Sequence, residues 1–106
     1  MQPIHPPATN HYLRLLEDRQ QELLGLGVRR IGLFGSCVRG QERADSDVDI
    51  LVEFAAGRKN LSALLDLADF LEGVFHRHVD LVTLESLSPY IGPHILNEVR
   101  YAQLAA

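Results

Sequence analysis

The sequence predicts an α/β fold of the α+β kind: a small mixed sheet of at least three strands, backed by helices. Two patterns carry that expectation. Apolar residues recur at helical spacing in some segments and alternate with period two, or run continuously, in others. Glycine, proline or short polar clusters separate the segments. At 106 residues the chain has the length of one domain, and 46% apolar content is enough for a core. The domain is read as 9–106, behind a flexible leader 1–8 that holds three of the five prolines.

Thr9 or Asn10 caps a first helix running to about Leu24, with Tyr12, Leu15, Leu16, Leu23 and Leu24 on one face. Gly25 and Gly27 end it. Val28 to Phe34 is a strand, broken by Gly35-Ser36, and Ser36 to Gln41 starts a short helix. Ala44-Asp45-Ser46 is a turn. Asp47 to Phe54 is the clearest strand, with Val48, Ile50, Val52 and Phe54 on one face and Asp47, Asp49, Leu51 and Glu53 on the other. After a loop, Asn60 or Ser62 caps a helix to about His76, whose apolar stripe is wide enough for core packing plus a further contact. His78 to Leu84 is a third strand, and Pro89 to about Ala102 a final helix, with Pro93 tolerable only near its first turn.

Several functional classes are excluded. The single cysteine, Cys37, forbids an internal disulfide, and no Cys/His cluster has zinc spacing. The N-terminal stretch lacks the basic start and apolar run of a signal peptide, and no apolar run approaches the ~20 residues of a membrane helix. A cytoplasmic protein without membrane contact is expected. The net charge of −4, from 14 acids and 10 bases, argues against direct nucleic acid binding by phosphate neutralisation.

One constellation carries chemistry: Gly35-Ser36, ten residues, then Asp47-Val48-Asp49. Aspartates at i and i+2 of a strand point the same way, about 6.5 Å apart at Cα. Such hard oxygen donors suit Mg²⁺, which takes a few carboxylates plus phosphate oxygens. Alone, the pair reads more readily as a solvated strand face. Its neighbours shift the weight. The acids open the strongly apolar run Ile50-Leu51-Val52, the glycine lets backbone approach a phosphate, and the Ser36 hydroxyl can donate to one. Asp80, among Val79, Leu81 and Val82, brings a third carboxylate if its strand pairs alongside.

Gly35-Ser36-Cys37-Val38-Arg39-Gly40 followed by Ser46-Asp47-Val48-Asp49-Ile50-Leu51-Val52 resembles the motif of the DNA-polymerase-β-like nucleotidyltransferases, in particular their minimal nucleotidyltransferase (MNT) branch. Val38 and Ile50 stand where alanine and leucine are usual. The likeness is close from Val28 to Leu84 and looser through the final segment. It implies the nucleotidyltransferase fold, ATP as substrate and two Mg²⁺ ions held by Asp47, Asp49 and Asp80. Asp80 would also orient or deprotonate the acceptor hydroxyl. Ser36, with the Gly35 backbone, would hold the β/γ-phosphates. Arg39 would reach phosphate or bridge to Asp45 or Asp47.

Small MNT proteins commonly pair with a helical HEPN protein, an RNase toxin that the MNT antitoxin inactivates by moving AMP onto a tyrosine hydroxyl. The resemblance therefore implies a HEPN toxin partner, with the 60–76 helix and the terminal helix as docking surfaces; a homo-oligomer is also compatible. Two alternatives stand beside this one: neutralisation by binding alone, and nucleotidyl transfer to a small molecule. The second is disfavoured because no extra substrate domain accompanies the motif. Cys37 reads as a packed thiol, His76 and His78 as solvated, and Arg29-Arg30 as remote from the site.

Overall fold

The computed structural model describes residues 7–41 and 43–104. Two helices open the chain, α1 (Pro7–Asp18) and α2 (Gln20–Gly25), followed by β1 (Val28–Phe34) and the single-turn α3 (Ser36–Arg39). Then come β2 (Val48–Phe54), α4 (Leu61–Phe75), β3 (Val79–Thr83), a 3-10 turn at Leu84–Ser86, α5 (Gly92–Glu98) and the short β4 (Arg100–Tyr101). The sheet order is β3-β2-β1-β4. β1 runs antiparallel to both β2 and β4, and β2 runs parallel to β3, so the sheet is mixed as expected but has four strands.

The alternation in β2 places its two faces. Val48, Ile50, Val52 and Phe54 join Ile31 and Leu33 of β1 in the main core, which Tyr12 and Leu16 of α1, Leu23 of α2, and Leu67, Leu71 and Phe75 of α4 cover. Tyr12 and Phe75 meet edge-on, with ring centroids 5.1 Å apart. On the opposite face, Leu51 and Phe34 pack with Ile95 and Val99 in a smaller cluster beneath α5. The acids of β2 share that second face.

Two helix boundaries differ from the sequence reading, and between them one helix stripe stays partly open. First, the helix expected from Thr9 begins at Pro7, inside the expected leader; residues 1–6 of that leader lie outside the described residues. Thr9 is therefore not a cap. It is fully buried, and its hydroxyl donates to the Cys37 carbonyl of α3. The same helix breaks at Arg19, and the Glu17 carbonyl accepts from the Gln20 side-chain amide.

Second, the stripe on α4 is only partly covered. Asn60 caps the helix, accepting from the Ala63 amide at 2.7 Å, but Leu61 and Leu65 stay 71% and 58% exposed.

Third, the final helix does not reach Ala102. It starts at Gly92 with Pro93 in its first turn, and it ends at Glu98, where Val99 becomes extended and the chain pairs with β1. Gly32 makes this possible: a Cβ there would stand 2.8 Å from a Val99 methyl and 2.9 Å from the Arg100 carbonyl. Arg100 donates to the Glu98 and Val99 carbonyls, which the ending helix leaves unpaired.

Candidate active site

β1 and β2 bring the two halves of the motif together. The antiparallel register sets Phe34 opposite Asp49, so the turn that follows Phe34 passes directly over the start of β2. Gly35 turns there with φ 78° and ψ −150°, backbone that side chains with a Cβ scarcely enter. A Cβ would also fall on the Asp49 carboxylate, 2.9 Å from its Cγ. The glycine is thus needed twice, for the turn and for the carboxylate against it. Ser36, partly buried, is the first residue of α3.

The parallel ladder supplies the third acid. Asp49 and Asp80 are register partners across β2 and β3, and Asp47 stands two residues before Asp49, exposed at the strand start. Of the three, Asp47 and Asp80 are exposed while Asp49 is partly buried. Its carboxyl is raised from 3.8 to about 6, chiefly because burial disfavours the charged form, then because Asp80 and Asp47 repel it. Arg39 opposes the rise and Glu98 adds to it. Among the described residues, no three His, Cys, Asp or Glu side chains form a ready-made metal cage. Mg²⁺ does not need one. It keeps waters and is held by one or two carboxylates plus substrate phosphate oxygens, a demand that facing aspartates meet.

Arg39 is corrected in its partner. It reaches neither Asp45 nor Asp47; its guanidinium donates to both carboxylate oxygens of Glu98, at 2.9 and 3.1 Å, and to the Gln41 side chain. Glu98 Oε2 also accepts from the Gly35 amide at 2.8 Å. Sequence reading assigns Glu98 no role, because its partners lie about sixty residues earlier and only the folding-back of α5 brings it there.

Two more residues escape the sequence reading. His78 is exposed, yet its Nδ1 stands 3.2 Å from Asp47 Oδ1 and its Nε2 3.8 Å from Glu72. Arg77 donates to the carbonyls of Arg43, Ala44 and Ser46, gripping the loop that delivers Asp47. The run His76-Arg77-His78 offers no local signal for either. Arg29 and Arg30 lie at the far end of β1, beside Glu53, away from the aspartates as expected. Cys37 is buried, as read.

The arrangement is a turn with backbone free of side-chain bulk beside an anionic face, which would suit nucleotide phosphates if a divalent cation were held by the carboxylates. Comparison with known proteins gives the family. The nucleotidyltransferase domain family matches residues 13–102. The protein adenylyltransferase MntA of Thermococcus cleftensis is 47% identical over 75 residues, covering 71% of this chain and 75% of that protein. A chain in a toxin-antitoxin crystal structure with AMP-PNP superposes with a TM-score of 0.63 at 27% identity, covering 81% of this chain and 73% of that one. A chain in the complex of tri-AMPylated Shewanella oneidensis HEPN toxin with MNT antitoxin gives 0.54 at 25% identity, covering 82% and 71%. Sequence match and fold agree on one conclusion: the chain belongs to the nucleotidyltransferase domain family and is a nucleotidyltransferase, similar to the MNT members of toxin–antitoxin pairs.

Proposed function

We propose that this protein is an antitoxin that transfers AMP from ATP to a tyrosine hydroxyl of a cognate HEPN-domain RNase toxin, with Mg²⁺ at the site. The observation that carries the reading is the meeting of Asp49 with Asp80 across one ladder and with Gly35 across the other. Relatives named for protein adenylylation and a solved partner complex with AMPylated toxin support the same reaction.

In this reading Asp47, Asp49 and Asp80 hold the metal, and Gly35 and Ser36 hold the β/γ-phosphates. Bound Mg²⁺ supplies the positive charge that this acidic face lacks. The tyrosine oxygen forms a bond to the α-phosphorus, the bond from that phosphorus to the pyrophosphate oxygen breaks, and the phenolic proton passes toward Asp80. Arg39 is held by Glu98 and steadies the turn more directly than it meets phosphate.

The test uses the product of the neighbouring gene, Mg²⁺ and α-labelled ATP. Label on a tyrosine of the partner is the expected result. The Asp47→Asn, Asp49→Asn double variant should still bind the partner and leave it unlabelled and toxic. If that variant neutralises the toxin, binding alone is the mechanism, and the catalytic reading is wrong.

A further inference from the structure

Glu98 sits where the site's glycine turn can be controlled from the other end of the chain. Its Oε2 accepts from the Gly35 amide at 2.8 Å, and both of its oxygens accept from Arg39, three residues after Ser36. Glu98 thus ties the residue before Ser36 to the residue that closes the same helical turn. Gly35 in turn carries the Asp49 carboxylate against its Cα, with no room for a Cβ. The side chain is only 24% exposed, and it stands at the last helical residue of α5, whose Ile95 and neighbouring Val99 are buried against Phe34 and Leu51. The hydrogen bonds, the ion pair and the packing all fix the same short segment.

We propose that Glu98 is a positioning residue for nucleotidyl transfer: it clasps the Gly35 amide and the Arg39 guanidinium, and so holds the Gly35-Ser36 turn in the conformation that receives the nucleotide phosphates. The proposal rests on the reading of the aspartates and the turn as the nucleotide site. A carboxylate that accepts one backbone N–H and, on both its oxygens, the Arg39 Nη1 is a directional tie, because each bond is charge-assisted. Glycine has the most backbone freedom to lose, so an external tie at this residue selects among more conformations than it would elsewhere. Glu98 touches no substrate in this assignment. It acts through Gly35 and Ser36, and its loss weakens phosphate binding more than partner binding.

The test compares Glu98→Ala, Glu98→Gln and, as a packing control on the same helix, Ile95→Ala. Two readouts are used: hydrogen exchange of the Gly35 amide in the nucleotide-free protein, and titration with Mg²⁺ and the non-hydrolysable analogue AMP-PNP. In Glu98→Ala the Gly35 amide should exchange at least about tenfold faster and the analogue should bind about tenfold more weakly, the scale set by losing a charge-assisted hydrogen bond. Glu98→Gln keeps a carbonyl oxygen for the Gly35 amide and should restore most of the exchange protection. Ile95→Ala should lower the melting temperature while leaving analogue affinity within about twofold after correction for the unfolded fraction.

The proposal is overturned if Glu98→Ala leaves Gly35 exchange and affinity unchanged, or if Ile95→Ala weakens the analogue as much. Wild-type protein that binds no AMP-PNP with Mg²⁺ would instead sink the nucleotide-site reading, and this proposal with it.

Discussion

Replacing Asp49 by asparagine should make the metal-free protein more stable at neutral pH while destroying its reaction. The Asp49 carboxyl is raised from 3.8 to about 6, so the folded chain holds that proton more tightly than the unfolded one. The resulting stability is complete below pH about 4, where both states are protonated, and is lost as the pH rises through about 6. Above that, the folded protein carries a half-buried carboxylate facing Asp80 and Asp47. Holding the proton that much more tightly corresponds to about 3 kcal/mol at full weight. The group is partly open to water, and screening reduces this to about 1–1.5 kcal/mol. Asparagine keeps the shape without the charge. Urea unfolding in EDTA at pH 7.5 should therefore find Asp49→Asn more stable by that amount, about 4–10 °C in melting temperature for a domain of this size. At pH 4 the two proteins should unfold together. Equal or lower stability of the variant at pH 7.5, or a gap that persists at pH 4, would refute the electrostatic reasoning.

The other expectations concern the turn, the loop and the cation. Gly35→Ala should cost about 1–3 kcal/mol in stability from its positive φ and should abolish transfer, because its Cβ displaces the Asp49 carboxylate; chemical unfolding and label transfer measure the two effects. Arg77→Ala removes donors to three carbonyls of the loop before Asp47. It should lower stability by about 1–3 kcal/mol and raise proteolysis at 43–46, and limited digestion followed by mass spectrometry locates the cuts. Mg²⁺ with AMP-PNP at about a hundred times the dissociation constant should stabilise the wild type by about 2.7 kcal/mol. EDTA should remove that gain, and Asp47→Asn should show little of it, as followed by thermal unfolding.

The part of the fold legible in the sequence is the part fixed by local pattern. The alternation in 48–54 separates a core face from an acidic face, and β2 lies where that pattern sets it. The Gly35-Ser36 turn and the two aspartates are readable because they lie within fifteen residues of one another. The pairing of Asp80 with Asp49 is conditional on strand order, which periodicity does not encode, and the β2/β3 ladder supplies it. The end of α5 is not legible for a related reason: helix spacing in 95–102 continues on paper, but the space above Gly32 lets Arg100 and Tyr101 join the sheet. Sequence proximity pairs Arg39 with a nearby acid, whereas its partner arrives from α5. His78 reads as solvated because nothing local indicates that it stands beside Asp47.

The Gly35 amide and the Glu98 carboxylate are 63 positions apart. A contact of that span cannot form before residue 98 is available, and closing so long a loop costs entropy that local contacts do not. A nascent chain ending before residue 98 would have the glycine, the serine and all three aspartates, with the turn still untied. A fragment truncated in this way would therefore hold every residue of the signature motif and yet lack the shape that makes the motif work. Possession of the motif and possession of the site are separate events in the life of this protein, and the second waits for the last helix.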